Sequence, residues 1–249
     1  MANFVLVPGF WLGGWAWQRV AKPLRAAGHE VYPVTLTGLG ERVHLASPQV
    51  DLDTHICDVV NVIEYEDLHE VVLVGHSGGG SVVTGVSDRI PERLSQLVYL
   101  DSGPLPDGIS PIEIYPPQQR EYVERRTAEQ GEGWRYPLPP WEEIGAGLDG
   151  LGEQDLLRFR SRATDQPARA LTQTIRLSNP ARHDLPKTLI SCSFPLEQVK
   201  EMIANGHPFF TELNSPQWNF YELPTGHWPM FSRPADTAAL LDEVARSQA

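Results

Sequence analysis

Residues 71–89 constrain this chain more than any other stretch. Val71-Val72-Leu73-Val74 is an unbroken run of β-branched residues and leucine, the mark of a strand covered on both faces. Gly75-His76-Ser77-Gly78-Gly79 follows at once, and the apolar spacing then predicts a helix from Gly78 to Arg89. A strand that passes into a helix through G-x-S-x-G forms a sharp elbow with a serine at its tip. Glycines flank the serine because side chains there would collide with the turn or the following helix. The helix start then aims free N–H groups and the positive end of its dipole at the serine oxygen.

The rest of the chain repeats strand and helix around this elbow. Strands are expected at Phe4–Val7, Glu30–Val34, Leu97–Leu100, Thr188–Ser193 and Trp218–Leu223. Helices are expected at Trp15–Ala27, Leu52–Tyr65, Leu196–Ala204 and Pro234–Arg246, the last with proline at its start. A polar loop runs from Thr35 to Pro48. The alternation predicts the α/β class, with a mainly parallel sheet and helices on both faces. It breaks between Pro104 and about Pro186, where prolines are dense. That stretch reads as an inserted, mostly helical cap over 104–185, with helices at Glu153–Arg162 and Pro167–Leu177. Residues 1–103 and 186–249 form the core of a single domain.

Composition narrows the partners. With 249 residues, 41% of them hydrophobic, the chain can bury one sizeable core. A net charge of −12 argues against nucleic acid and anionic membrane surfaces. Cys57 and Cys192 have no metal-ligand spacing and are expected as free, buried thiols, which suits a cytoplasmic location. The N-terminus lacks a basic n-region and a long apolar run, so no signal peptide is expected, and no stretch is long enough to span a bilayer. The sequence leaves a homodimer open.

The chemistry expected of the elbow is nucleophilic catalysis by Ser77. A serine nucleophile needs two backbone donors for the oxyanion that forms on attack. The Gly78 N–H is one, and the Phe10 N–H of the Pro8-Gly9-Phe10-Trp11 loop is the other. Among the eight histidines, His227 stands out. It lies between the last strand and the closing helix, where this order of elements places the base. His76 is adjacent to the serine in a tight turn and is read as structural. His29, His44, His183 and His207 are read as solvated or capping histidines in loops. Trp11, Trp134, Trp141, Trp228 and Met230 lie in loops expected to converge near Ser77, which predicts a pocket for an apolar or aromatic group.

These motifs carry a family resemblance. Val7-Pro8-Gly9-Phe10-Trp11-Leu12-Gly13-Gly14-Trp15, Ala27-Gly28-His29, Gly75-His76-Ser77-Gly78-Gly79 and Gly226-His227 resemble the plant methylesterase and hydroxynitrile lyase group and its bacterial esterase relatives. The resemblance covers almost the whole chain, weakly in the cap. It implies an α/β-hydrolase fold, a Ser–His–acid triad, no cofactor, and small esters or cyanohydrins as substrates. Three departures matter. Pro8 stands where a histidine is usual. Trp228 stands where hydroxynitrile lyases carry a lysine, which counts against lyase chemistry. The strand expected to end at Ser193 is followed by Phe194-Pro195-Leu196-Glu197, with no aspartate where many relatives have the triad acid.

The acid is therefore placed at Asp101, at the end of the strand next after the nucleophile's helix. Strand C-terminal ends gather on one face of such a sheet, and some hydrolases of this fold use that position. Glu197 is the second candidate. The expected activity is hydrolysis of a small ester through an acyl-enzyme. Two alternatives stay open: a carbon–carbon lyase on the same scaffold, and a non-catalytic small-molecule receptor, supported by the missing aspartate.

Overall fold

Alternation of apolar side chains along each central strand decides which helices its two faces meet. In the computed structural model, which describes residues 1–206 and 208–247, the chain begins with β1 (Asn3–Val7), α1 (Gln18–Ala26), β2 (Glu30–Pro33) and α2 (Leu52–Tyr65). It continues with β3 (Val71–His76), α3 (Gly79–Arg89) and β4 (Leu94–Leu100). A long excursion carries α4 (Pro117–Gln130), β5 (Arg135–Tyr136), α5 (Trp141–Ile144), α6 (Glu153–Arg162), β6 (Gln166–Pro167) and α7 (Arg169–Thr172). Then come β7 (Lys187–Ser191), α8 (Leu196–Ala204), β8 (Trp218–Glu222), α9 (Pro229–Ser232) and α10 (Pro234–Arg246).

Among the described residues, six strands form one sheet in the order β2-β1-β3-β4-β7-β8, with every neighbouring pair parallel. Val5, Val7, Val71, Leu73, Leu97 and Tyr99 face Ile56, Val59, Val82 and Val86 of α2 and α3. Phe4, Leu6, Val72, Val74, Val98 and Leu100 face Val20 and Leu24 of α1 and Leu241 and Val244 of α10. Each such burial contributes about 1.5–3 kcal/mol. The strand order reverses between β1 and β3, so the loops after these strands diverge and leave a crevice at their C-terminal ends.

Several elements depart from expectation for identifiable reasons. The first helix starts late, because Gly14–Trp17 forms a 3₁₀ turn. The strand expected to reach Ser193 stops at Ser191, because the N–H groups of Cys192 and Ser193 turn to the Asp101 carboxylate. The helix expected over Pro167–Leu177 shrinks to α7, since the Ile175 N–H donates to the Ile109 carbonyl instead. The sequence reading missed α4, which buries only Val123 and Thr127 and so shows almost no apolar period. Cys57 is exposed rather than buried, beside the Arg89 guanidinium; Cys192 is buried, and both are free thiols. His29 is not a solvated histidine: it is buried, accepting the Ala2 N–H and bonding Asp242 of α10 at 2.8 Å. His44 and His183 are exposed, and His207 lies outside the described residues. No helix among them is long and apolar enough to cross a membrane.

Candidate active site

Three non-glycine residues with left-handed backbone stand after adjacent strands: Trp11 (φ 65°) follows β1, Ser77 (φ 50°) follows β3 and Asp101 (φ 45°) follows β4. Such backbone persists only where the surroundings over-determine it. At Ser77 the hold is visible. Its N–H donates to the Leu100 carbonyl at 3.2 Å, and its carbonyl accepts the Gly80 N–H at 2.9 Å and the Ser102 hydroxyl at 2.6 Å. Gly75 makes the turn possible: a Cβ there would lie 2.6 Å from Val83 Cγ2 and 2.8 Å from the Gly79 carbonyl oxygen.

His227 reaches the serine from the loop after β8. Its Nε2 lies 2.7 Å from Ser77 Oγ, and its Nδ1 lies 2.6 Å from Asp101 Oδ2. With the ring proton on Nδ1, the imidazole donates to Asp101 and accepts from Ser77. The His227 backbone is held on both sides. Its N–H donates to the Gly147 carbonyl at 2.8 Å, and its carbonyl accepts from His76 Nε2 at 2.6 Å. Burial, and then the neighbouring His227, drive the His76 pKa down from 6.5 to about 3. His76 is thus neutral and keeps its Nε2 proton for that carbonyl.

Asp101 is almost enclosed, its side chain 3% exposed. Oδ1 accepts the N–H groups of Cys192 at 2.9 Å and Ser193 at 3.0 Å, and Oδ2 accepts the Ser193 hydroxyl at 2.5 Å. Burial alone would raise this carboxyl. Hydrogen bonds from His227 and Ser193, with the attraction of His227, outweigh it and hold Asp101 well below the usual carboxylate range. Glu197, the second candidate, is 80% exposed and pairs with Lys200 at 2.9 Å. Burial pushes the Cys192 thiol up, so it stays protonated and is no rival nucleophile.

The loop after β1 passes directly over the serine. A Cβ at Gly9 would lie 2.9 Å from Ser77 Cβ and 2.8 Å from His76 Nδ1. Among the described residues, no protein group takes up the Phe10 or Gly78 N–H. The Phe10 ring covers Gly78, whose missing Cβ would sit 2.3 Å from that ring.

The five residues expected to line a substrate pocket separate. Trp11 is half-buried beside Phe10 and tilts against Tyr136, with ring centroids 6.0 and 5.2 Å apart. Trp141 and Trp228 pack on Phe159, and Trp228 and Met230 are buried in the core. Met230 is 0% exposed and offers no surface to a ligand. Trp134 stacks with the Arg135 guanidinium at 4.9 Å. Trp228 and Met230 turn inward because the residues following His227 continue into α9, which packs against α1 and α6. Beside Phe10, the aromatic side chains of Trp11, Tyr136, Tyr115 and Tyr122 pack with Ile112 and Leu171 in a cluster of their own. The sequence reading missed these tyrosines, although Tyr115 and Tyr136 stand beside prolines in the same dense segment. No group of three His, Cys, Asp or Glu side chains among the described residues is placed to hold a metal.

Residues 4–240 match the alpha/beta hydrolase family. The chain belongs to that family. It is 52% identical to a carbendazim hydrolyzing esterase from Nocardioides sp. strain SG-4G, over 97% of this chain and 98% of the relative. Identity to the putative methylesterase 14, chloroplastic, of Arabidopsis thaliana is 28%, over 98% of this chain and 72% of the relative. An extracellular α/β-hydrolase from a Paenibacillus species superposes with a TM-score of 0.81 at 24% identity, covering 98% of each chain. That protein is described as sharing structural and functional homology with tobacco salicylic acid binding protein 2. With its esterase and methylesterase relatives, this hydrolase is of the carboxylesterase type.

Proposed function

We propose that this hydrolase cleaves small aromatic esters and carbamates through an acyl-enzyme on Ser77. The observation that carries the reading is the Ser77–His227–Asp101 chain of hydrogen bonds at 2.7 and 2.6 Å, seated on a strained elbow. His227 Nε2 takes the Ser77 proton as Oγ attacks the substrate carbonyl carbon. The resulting oxyanion is held by the Phe10 and Gly78 N–H groups, each worth about a hundred- to a thousandfold in rate. Asp101 fixes the imidazole tautomer and balances the imidazolium charge. The intermediate collapses, the alcohol leaves with the proton from His227, and the acyl group stays on Ser77. A water that has given its proton to His227 then attacks, and collapse frees the acid and restores Ser77.

The cluster of tyrosines packed beside Phe10 supports a flat aromatic substituent. Carbendazim, an aromatic methyl carbamate, is the compound for which the relative at 52% identity is named, and it heads the substrates to try. The receptor reading loses its motive, since a carboxylate stands at His227 Nδ1 without an aspartate after β7. The test joins active-site labelling to turnover. A fluorophosphonate is expected to modify Ser77 alone, and the protein to hydrolyse aromatic methyl esters and carbendazim faster than a short alkyl acetate. An unlabelled Ser77 in folded protein defeats the mechanism. Acetate turned over as fast as the aromatic esters defeats the substrate class.

A further inference from the structure

We infer that Gln166 is a positioning residue for the oxyanion loop, holding the Phe10 N–H on the reacting carbonyl from outside the hydrolase core. The inference rests on the proposed role of that N–H.

Trp11 is a bulky residue at φ 65°, a conformation it does not adopt unaided. Both of its backbone groups go to one short segment. Its N–H donates to Gln166 Oε1 at 3.3 Å, and its carbonyl accepts the Thr164 N–H at 3.0 Å. Its indole Nε1 donates to the Tyr136 carbonyl at 3.0 Å. Tyr136 and Gln166 are paired residues of the β5–β6 ribbon, so a single small ribbon grips Trp11 by side chain and backbone together. Gln166 is 1% exposed. A backbone N–H can only donate, so the amide oxygen must face Trp11.

The geometry links this grip to the chemistry. The peptide plane carrying the Trp11 N–H adjoins the plane carrying the Phe10 N–H, and the two share the Phe10 Cα. Gln166 and Thr164 fix the planes on either side of Trp11. At the other end, Gly9 passes so close to Ser77 and His76 that a Cβ there would clash. Without the acceptor at 166, the strain at Trp11 relaxes through Phe10, and the donor swings off the oxyanion. A displaced donor costs part of the hundred- to thousandfold that a deleted one costs.

The test compares Gln166→Leu, which fills the buried site with an apolar side chain and loses the acceptor, with Gln166→Glu, which keeps an oxygen acceptor there. Rates are taken per fluorophosphonate-titrated site on an aromatic methyl ester, so that misfolded protein drops out. Gln166→Leu is expected to lower kcat by about ten- to a hundredfold with KM within about twofold. It is expected to weaken an arylboronic acid, which forms a tetrahedral adduct on Ser77, by the same factor. Gln166→Glu is expected to restore most of both. Gln166→Asn, which draws the amide back by a methylene, stands in if the leucine variant does not fold, with the same loss expected. Wild-type kcat per titrated site in the leucine or asparagine variant overturns the inference, as does a glutamate variant as slow as the leucine one. If Ser77 takes no label in the unsubstituted protein, the proposed function fails first.

Discussion

The carboxylate beside His227 is expected to be movable from one strand end to the next. Asp101 Oδ2 stands 2.6 Å from His227 Nδ1 and 2.5 Å from the hydroxyl of Ser193, which follows β7. A carboxylate at 193 extends one atom further than that hydroxyl and enters the space Asp101 Oδ2 now fills. Asp101→Ser alone is expected to lower kcat about ten-thousandfold, the usual cost of neutralising this partner, or about 5 kcal/mol of transition-state stabilisation. Ser193→Asp alone crowds two carboxylates, so one keeps a proton and activity becomes steeply pH-dependent. The double exchange, Asp101→Ser with Ser193→Asp, is expected to recover about a hundredfold over Asp101→Ser, roughly 3 kcal/mol. Recovery stays partial because the Cys192 and Ser193 N–H groups now converge on Asp101 Oδ1 and would lose that acceptor. The assay is kcat on an aromatic methyl ester, with circular dichroism confirming the fold. A folded double variant no faster than Asp101→Ser at any pH from 5 to 9 refutes the claim that both strand ends command the base.

Two further outcomes follow from the same packing. Gly9→Ala places a methyl 2.8 Å from His76 Nδ1 and 2.9 Å from Ser77 Cβ, so thermal unfolding should reveal a loss of about 1–3 kcal/mol and ester assays a fall in kcat; unchanged values in both would contradict the close approach. Stability is expected to fall from pH 7 to pH 5, because buried His76, at about 3 when folded against 6.5 ordinarily, binds its proton only once unfolded; this one group removes about 2 kcal/mol at pH 5, His55 adds in the same direction, and a melting temperature independent of pH over that range would show His76 to be charged in the fold.

The central strands and the Ser77 elbow were legible because their signals are local. Val71–Val74 and the glycines around Ser77 demand a buried strand and a tight turn whatever the rest of the chain does. His227 and Asp101 were legible through topology, since each follows a strand whose end must reach the same face. Substrate contacts were not legible. Trp228 and Met230 sit close to His227 in sequence, but whether a loop residue faces the crevice or the core depends on the helix it leads into. Here α9 starts at Pro229 and turns both inward. Gln166 was invisible for a different reason. It lies 155 residues from Trp11, and a single glutamine between Asp165 and Pro167 has no periodicity or motif to mark it.

The excursion between β4 and β7 is bonded into the loops around Ser77. It supplies the Gly147 carbonyl to the His227 N–H, the Asp149 carbonyl to the Gly226 N–H, and Gln166 and Thr164 to Trp11. The His227 loop and the Phe10–Trp11 loop are thus both tied to the same excursion, while His76 ties the His227 loop to the elbow from the core side. Most of these bonds are backbone to backbone, so side chains in the excursion can vary while the ties persist. Gln166 is the exception, because there a side chain makes the tie.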